Sequence, residues 1–173
     1  MCGVVGIIST QKPVAGELYN SLIHLQHRGQ DAAGIMTYNE RFHIKKGTGL
    51  IRDIFDEHNM LRLQGNVGIG HTRYPTVGGF SIEEAQPVLT HVPYGIAMAH
   101  NGNLVNYTEL AQEVEEKDRR HINSSVDIEV ILHIFAHALD HPDANTDELS
   151  FFDQVCHAVD MVFDRVEGAY SVI

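Results

Sequence analysis

The sequence is poor in cysteine, poor in cations and free of long apolar runs, and each shortage removes a class of protein. Two cysteines occur in 173 residues, Cys2 and Cys156. They cannot build a disulfide framework, which excludes a small stapled secreted scaffold and points to a reducing compartment, the cytoplasm. Lys and Arg number 12 against 23 Asp and Glu, a net charge of −11. Such a surface is repelled by nucleic-acid phosphates and by anionic lipid, so neither is expected as a general partner. The compact cationic cluster of the sequence, Lys117, Arg119 and Arg120, reads as a solvated loop. No stretch approaches the roughly 18 apolar residues that mark a membrane span. The start lacks the basic and apolar regions of a secretory signal. Walker-type and dinucleotide-binding glycine motifs are absent, as are repeats, low-complexity tracts and flexible linkers.

What is present suits a globular domain. Hydrophobic residues make up 43% and charged residues 20%, and the length fits one domain, residues 1–173, with a sizeable core. Val4–Ile8 reads as a buried strand. A helix is expected from Pro13 to about His27, with Leu18, Leu22 and Leu25 at helical spacing. Ala32–Tyr38 and Phe42–Lys46 read as a hairpin turning at Asn39-Glu40. Short helical pieces are expected over Arg52–Leu63, a strand over Gly65–Thr72 and a loop over Tyr74–Gly79. Val88–His91 and Gly95–Ala99 read as a strand pair. Asn106–Glu116, Val126–His141 and Phe151–Val166 read as helices, and Ala169–Ile173 as a strand. The sequence stops inside that apolar run with no cap or turn, as the first part of a longer protein would. Short strands mixed with a few long helices predict an α+β fold.

Four segments carry candidate chemistry. The first is the start, Met1-Cys2-Gly3. A small second residue permits removal of Met1, which would leave Cys2 with both a thiol and a free α-amine. The thiol is a strong nucleophile once deprotonated, and the amine, with a reference pKa of about 7.7–8.0, can act as its base. Retention of Met1 would tie that amine into a peptide bond and remove the base. The second segment, Gln26–Gly34, crowds His27, Arg28 and Asp31 among glycines; taken alone it is also a helix end with a glycine stop. The third, Gly70–Thr76, places Arg73 at a strand end, where a guanidinium can hold a carboxylate through two hydrogen bonds or simply face water. The fourth is Ala99-His100-Asn101-Gly102-Asn103-Leu104. Asn-Gly is by itself a hairpin signal. It is also a suitable oxyanion hole, with the Asn101 amide and the Gly102 N–H as donors.

Taken together, Cys2–Ile7, Leu25–Ile35, Gly70–Thr76 and Ala99–Leu104 resemble the class II glutamine amidotransferases, and among these the phosphoribosyl branch, in order and spacing from residue 2 to the end. The sugar-phosphate branch shares the opening and the Asn-Gly pair and ranks second. The resemblance implies the N-terminal-nucleophile hydrolase fold, a four-layer αββα sandwich. It implies that Cys2 attacks the glutamine side-chain amide, that its α-amine is the base, and that Asn101 and Gly102 stabilise the oxyanion. Arg73 would bind the α-carboxylate of glutamine and Asp127 its α-ammonium, with Thr76 and His71 shaping the pocket and Arg28 supporting Cys2. Ile128 stands where the family usually has a serine. The products would be glutamate and ammonia. The ammonia would displace diphosphate from phosphoribosyl diphosphate to give phosphoribosylamine, the first committed step of purine synthesis. That second site belongs to a C-terminal phosphoribosyltransferase domain whose motif is absent from this chain. Magnesium is expected only there, no cofactor is expected here, and the full-length protein is expected to be a homo-oligomer.

Two constellations are set aside. His133, His137 and His141 recur at a spacing that can bind zinc, but they lie largely opposite the apolar face formed by Ile128, Ile131, Phe135, Ala138 and Leu139, so a solvated face is expected and no metal. Cys156 sits at helical spacing with Phe152, Val155, Val159 and Phe163 and is expected in the core.

Overall fold

The computed structural model describes residues 2–74, 81–141 and 150–173. In chain order the elements are β1 (Gly3–Ile8), α1 (Ala15–Leu25), β2 (Ala32–Asn39), β3 (Arg41–Thr48), α2 (Ile51–Ile54), α3 (Glu57–Arg62), β4 (Val67–Arg73), β5 (Val88–Thr90), β6 (Ile96–Met98), β7 (His100–Leu104), α4 (Tyr107–Glu116), α5 (Asp127–Asp140), α6 (Phe151–Arg165) and β8 (Gly168–Val172). Single 3-10 turns occupy Gln26–Arg28 and Ile82–Glu84. The expected α+β mixture is present, and the expected helices and strands fall within a few residues of their predicted bounds; the loop expected over Tyr74–Gly79 lies, beyond Tyr74, outside the described residues.

The chain folds as two compact units. The first comprises residues 1–87, 98–101 and 171–173, the second 88–97 and 102–170. The first unit is built on a four-stranded sheet, ordered β1-β4-β2-β3 and antiparallel at every pairing. The β2–β3 hairpin turns tightly because Glu40 adopts a left-handed conformation, with φ of 59°. Helix α1 covers one face of the sheet. Leu18 and Leu22, one helical turn apart and fully buried, pack with Ala33, Ile35, Ile51, Ile54, Phe55 and Leu63. Burying each such aliphatic side chain stabilises the fold by roughly 1.5–3 kcal/mol. The start of α3 is fixed by Asp56, whose carboxylate accepts from the backbone N–H of Asn59 at 2.7 Å.

Helix α5 anchors the second unit. Ile128, Val130, Ile131, Leu132, Ile134, Ala136 and Leu139 are all buried, so the helix is apolar around most of its girth rather than along one stripe. Helices α4 and α6 pack on it. Ser150 caps α6 by accepting from the Asp153 N–H at 3.3 Å.

Three expectations are corrected here. Arg120 is not a solvated loop residue: its guanidinium donates to Val92 O at 3.1 Å and to Asp140 at 3.1 Å, with only 12% of the side chain exposed. Of the three histidines only His141 is exposed as expected, and His133 and His137 are partly buried. His133 lies within 3.8 Å of Glu129, and His137 within 3.6 Å of Asp118 while stacking on His141 at 4.4 Å. Cys156 is exposed rather than in the core. Helix α6 buries Ala158 and Val162 instead, while Phe152 and Phe163 are 73% and 64% exposed. The helix has two apolar stripes, and helical spacing does not say which one turns inward.

Candidate active site

Cys2 leads directly into β1, an edge strand paired among the described residues only with β4. Strand pairing therefore fixes the backbone next to the nucleophile. The N–H of Gly3 donates to the buried Thr72 Oγ1 at 3.1 Å, and Arg28 Nε donates to Cys2 O at 3.0 Å. Arg28 is in turn delivered by the 3-10 turn that ends α1. The next residue, Gly29, shows why the Arg-Gly pair occurs: a Cβ there would lie 2.5 Å from the main-chain carbon of Arg73. That close approach lets the Asp31 N–H donate to Arg73 O at 3.2 Å.

The Cys2 nitrogen itself donates to Asn101 Oδ1 at 3.2 Å. In the chain numbered from Met1 this nitrogen is the Met1–Cys2 amide; after removal of Met1 it is the α-amine. An N–H donor requires the amide oxygen on its own side, which turns Asn101 Nδ2 the other way. Nδ2 makes no hydrogen bond among the described residues and remains available as a donor. Asn101 and Gly102 lie inside β7 rather than at a hairpin turn, so the pair is not simply turn chemistry. In the second unit a Cβ on Gly102 would lie 2.6 Å from Ala169 O, so only glycine fits against β8.

Arg73 ends β4 and is held by Glu84. Its Nη1 donates to the Glu84 carboxylate and, at 3.2 Å, to Glu84 O. Both side chains are largely shielded, at 15% and 17% exposure. Sequence reasoning missed Glu84: it lies 11 residues from Arg73 with no helical or strand period to link them. His71 lies in β4, fully buried. Burial, reinforced by the neighbouring His100 and Arg73, pushes its pKa from the ordinary 6.5 down to about 3. It is therefore neutral at physiological pH, and its Nε2 must carry the proton it shares with His100 O at 3.1 Å. Gln86, also missed, accepts from the His100 N–H at 2.7 Å and so holds the residue before Asn101. Thr76 lies outside the described residues.

Asp127 is the first residue of α5 in the second unit, where the helix dipole favours a carboxylate. Its Oδ2 accepts from the Leu104 N–H at 2.8 Å. Ile128, at the family's usual serine position, is wholly buried. Glu129 supplies the polar anchoring instead: it accepts from Asn123 N at 2.8 Å, Asn123 Nδ2 at 3.2 Å, Ser124 N at 2.8 Å and Ser124 Oγ. Burial alone would raise its pKa, but His133, Ser124 and Asn123 outweigh it and lower the pKa to about 2. Among the described residues no three His, Cys, Asp or Glu side chains come together as a metal-holding group.

A glutamine amidotransferase domain family matches residues 52–141, just over half of the chain. The chain belongs to the glutamine amidotransferase family. The match takes in Arg73, Asn101, Gly102 and Asp127, while Cys2 precedes it. The chain is similar to the amidophosphoribosyltransferase of Haemophilus influenzae, at 48% identity over 100% of this chain and 34% of that one. It is also similar to the amidophosphoribosyltransferase of Escherichia coli, at 53% identity over the same shares. Among solved structures it is similar to glutamine phosphoribosylpyrophosphate amidotransferase from B. subtilis, which was determined with ADP and GMP. That likeness has a TM-score of 0.77 and 32% identity, over 99% of this chain and 34% of that one. The fold class is therefore the α+β type of the N-terminal-nucleophile hydrolases. The chain spans about a third of the length of the relatives it matches. No helix among the described residues of this amidotransferase domain is long and apolar enough to cross a membrane.

Proposed function

We propose that this domain hydrolyses glutamine to glutamate and ammonia through Cys2. The observation that carries the reading is the hydrogen bond from the Cys2 nitrogen to Asn101 Oδ1. It puts the candidate nucleophile beside the candidate oxyanion donor with the amide group turned the right way. The Cys2 thiol transfers its proton to its own α-amine, directly or through a water, and attacks the side-chain carbonyl of glutamine. Negative charge develops on the carbonyl oxygen, where the Asn101 Nδ2 and the Gly102 N–H would stabilise it. Collapse of the tetrahedral intermediate releases ammonia and leaves a thioester, which water cleaves to glutamate. Arg73 and Asp127 would bind the α-carboxylate and α-ammonium, selecting a free amino acid over a peptide. Arg28 supports the Cys2 backbone and does not react. Thr76 and His71 would shape the pocket, His71 from within the sheet.

In the complete protein we assign the ammonia to phosphoribosylamine synthesis, as the relatives' names favour over the sugar-phosphate branch. A C-terminal phosphoribosyltransferase domain would be the partner and would hold the magnesium. A homo-oligomer in the cytoplasm completes the reading.

The deciding test is intact-mass spectrometry before and after treatment with 6-diazo-5-oxo-norleucine, a glutamine-like electrophile. Loss of Met1 and one adduct mapped to Cys2 is the expected result. A processed chain that takes no adduct would overturn the assignment. A chain that keeps Met1 and takes no adduct would show an unprocessed, silent form.

A further inference from the structure

Strand β3 forms one edge of the first unit's sheet and β1 the other. Strand register fixes which way the β3 side chains point. Ile35, Thr37 and Asn39 of β2 stand opposite Lys45, His43 and Arg41 of β3, and directly opposed residues share a face. Ile35 belongs to the buried cluster beneath α1, so the three β3 residues stand on the helix side of the sheet. That side of a layered fold is ordinarily apolar. Here it carries a polar stripe, repeating every second residue, with two cations, Arg41 and Lys45.

The stripe lines a cavity of about 660 Å³ at this edge, together with Phe42 and Ile44 of the same strand, Asn59 and Arg62 of α3, and Gln64. The size suits a small organic ligand. No acidic side chain lines it. Six of this acidic chain's twelve lysines and arginines, Lys12, Arg52, Arg73, Lys117, Arg120 and Arg165, lie against carboxylates. Arg41, Lys45 and Arg62 form no ion pair among the described residues. Like charges that converge without counter-charge raise the energy of the fold, and a bound anion would relieve that cost. Guanidinium groups from two elements also provide the forked donors that oxyanions accept.

We propose that this groove binds a small organic anion bearing at least two oxyanion groups, phosphate esters or carboxylates, at the opposite sheet edge from the strand that follows Cys2. The site is independent of the glutamine reading. The competing explanation is that the charges only guard the open edge of β3 against pairing with another chain.

Two-dimensional amide NMR of the 173-residue chain separates the two. Fructose 1,6-bisphosphate and citrate are the probes, with fructose 6-phosphate and sodium chloride at matched ionic strength as controls. We expect saturable shifts at residues 41–45 and 59–64 with either bivalent probe. The double variant Arg41→Gln, Arg62→Gln should raise the dissociation constant roughly tenfold or more, with unchanged melting temperature and unchanged labelling of Cys2. A response to the bisphosphate alone identifies phosphate esters as the ligand class, and a response to citrate alone identifies carboxylates. Absence of saturation up to ~10 mM probe, shifts reproduced by sodium chloride, or binding that survives the double substitution would each overturn the proposal.

Discussion

Asn101 and Cys2, 99 positions apart, are joined by a hydrogen bond from the Cys2 nitrogen to Asn101 Oδ1. On the proposed mechanism this one side chain has two jobs: its oxygen holds the Cys2 nitrogen and its Nδ2 would meet the developing oxyanion. The two jobs can be separated by substitution. Asn101→Ala removes both and should lower kcat for glutamine by on the order of 10²–10³, the usual loss for one oxyanion donor. Asn101→Asp keeps an acceptor for the Cys2 nitrogen but loses the donor. It should lose at least as much turnover as Asn101→Ala while keeping the wild-type melting temperature. Full activity in Asn101→Asp would show that the oxygen alone matters. Cys2→Ala should abolish turnover and leave the circular dichroism spectrum unchanged.

Arg73 is bound to the carboxylate of Glu84 in this structure, the same type of group that a glutamine α-carboxylate presents. On the proposed role of Arg73, substrate would have to displace Glu84 or share the guanidinium with it. Neutralising Glu84 weakens the internal competitor. Glu84→Gln should lower KM for glutamine several-fold with little change in kcat, whereas Arg73→Gln should raise KM. Steady-state kinetics of the two variants decide it. A raised KM in Glu84→Gln would instead make Glu84 a support that holds Arg73 in its binding pose.

Glu129 holds the chain that leads into Asp127 by accepting from both Asn123 and Ser124. Its pKa, lowered from the ordinary 4.5 to about 2, means that the carboxylate form is favoured in the fold. The stabilisation is fully present above about pH 4.5 and is lost as pH falls toward 2. Replacing it by Gln should cost on the order of 3 kcal/mol at pH 7. That deficit should shrink in acid, because below about pH 4.5 the unfolded wild-type chain takes up a proton that the folded carboxylate refuses. Urea unfolding of both proteins at pH 7 and pH 3 measures the difference; a deficit that is the same at both pH values would show that charge is not what Glu129 contributes.

Elements set by short-range pattern were legible in the sequence. The β2–β3 hairpin and α5 follow from local periodicity, and the Cys2, Arg28 and Asn101 segments stood out by residue type. Contacts that depend on long-range packing were not legible. Arg73 meets Glu84 across the segment between them, and Gln86 meets His100 through the loop geometry around β5 and β6. The alternation of Arg41, His43 and Lys45 on one side of β3 became visible only when register placed them on the helix side. Helix α6 misled for a related reason: Cys156 and Phe152 share one apolar stripe and Ala158 and Val162 another, and only packing chooses between them. The sequence also suggested a metal-free, solvated row of histidines on α5, whereas Asp118 and Glu129 approach two of them.

His71 makes the last prediction, through pH. Buried in β4 beside His100 and Arg73, it resists protonation down to about pH 3, whereas in the unfolded chain it takes up a proton near its ordinary 6.5. The unfolded state therefore binds more protons between those values, and stability falls as pH drops from 6.5 toward 3. The slope from this one residue is at most about 1.4 kcal/mol per pH unit, with a total on the order of 5 kcal/mol. His71→Gln removes the titration yet keeps an Nε2 donor for His100 O. It should be less stable than wild type at pH 7.5, because the ring's packing is lost, and should decline less steeply between pH 6.5 and pH 4.5. Thermal unfolding followed by circular dichroism across that window distinguishes the cases. Parallel curves would mean that the buried imidazole is not the group that makes this domain acid-sensitive.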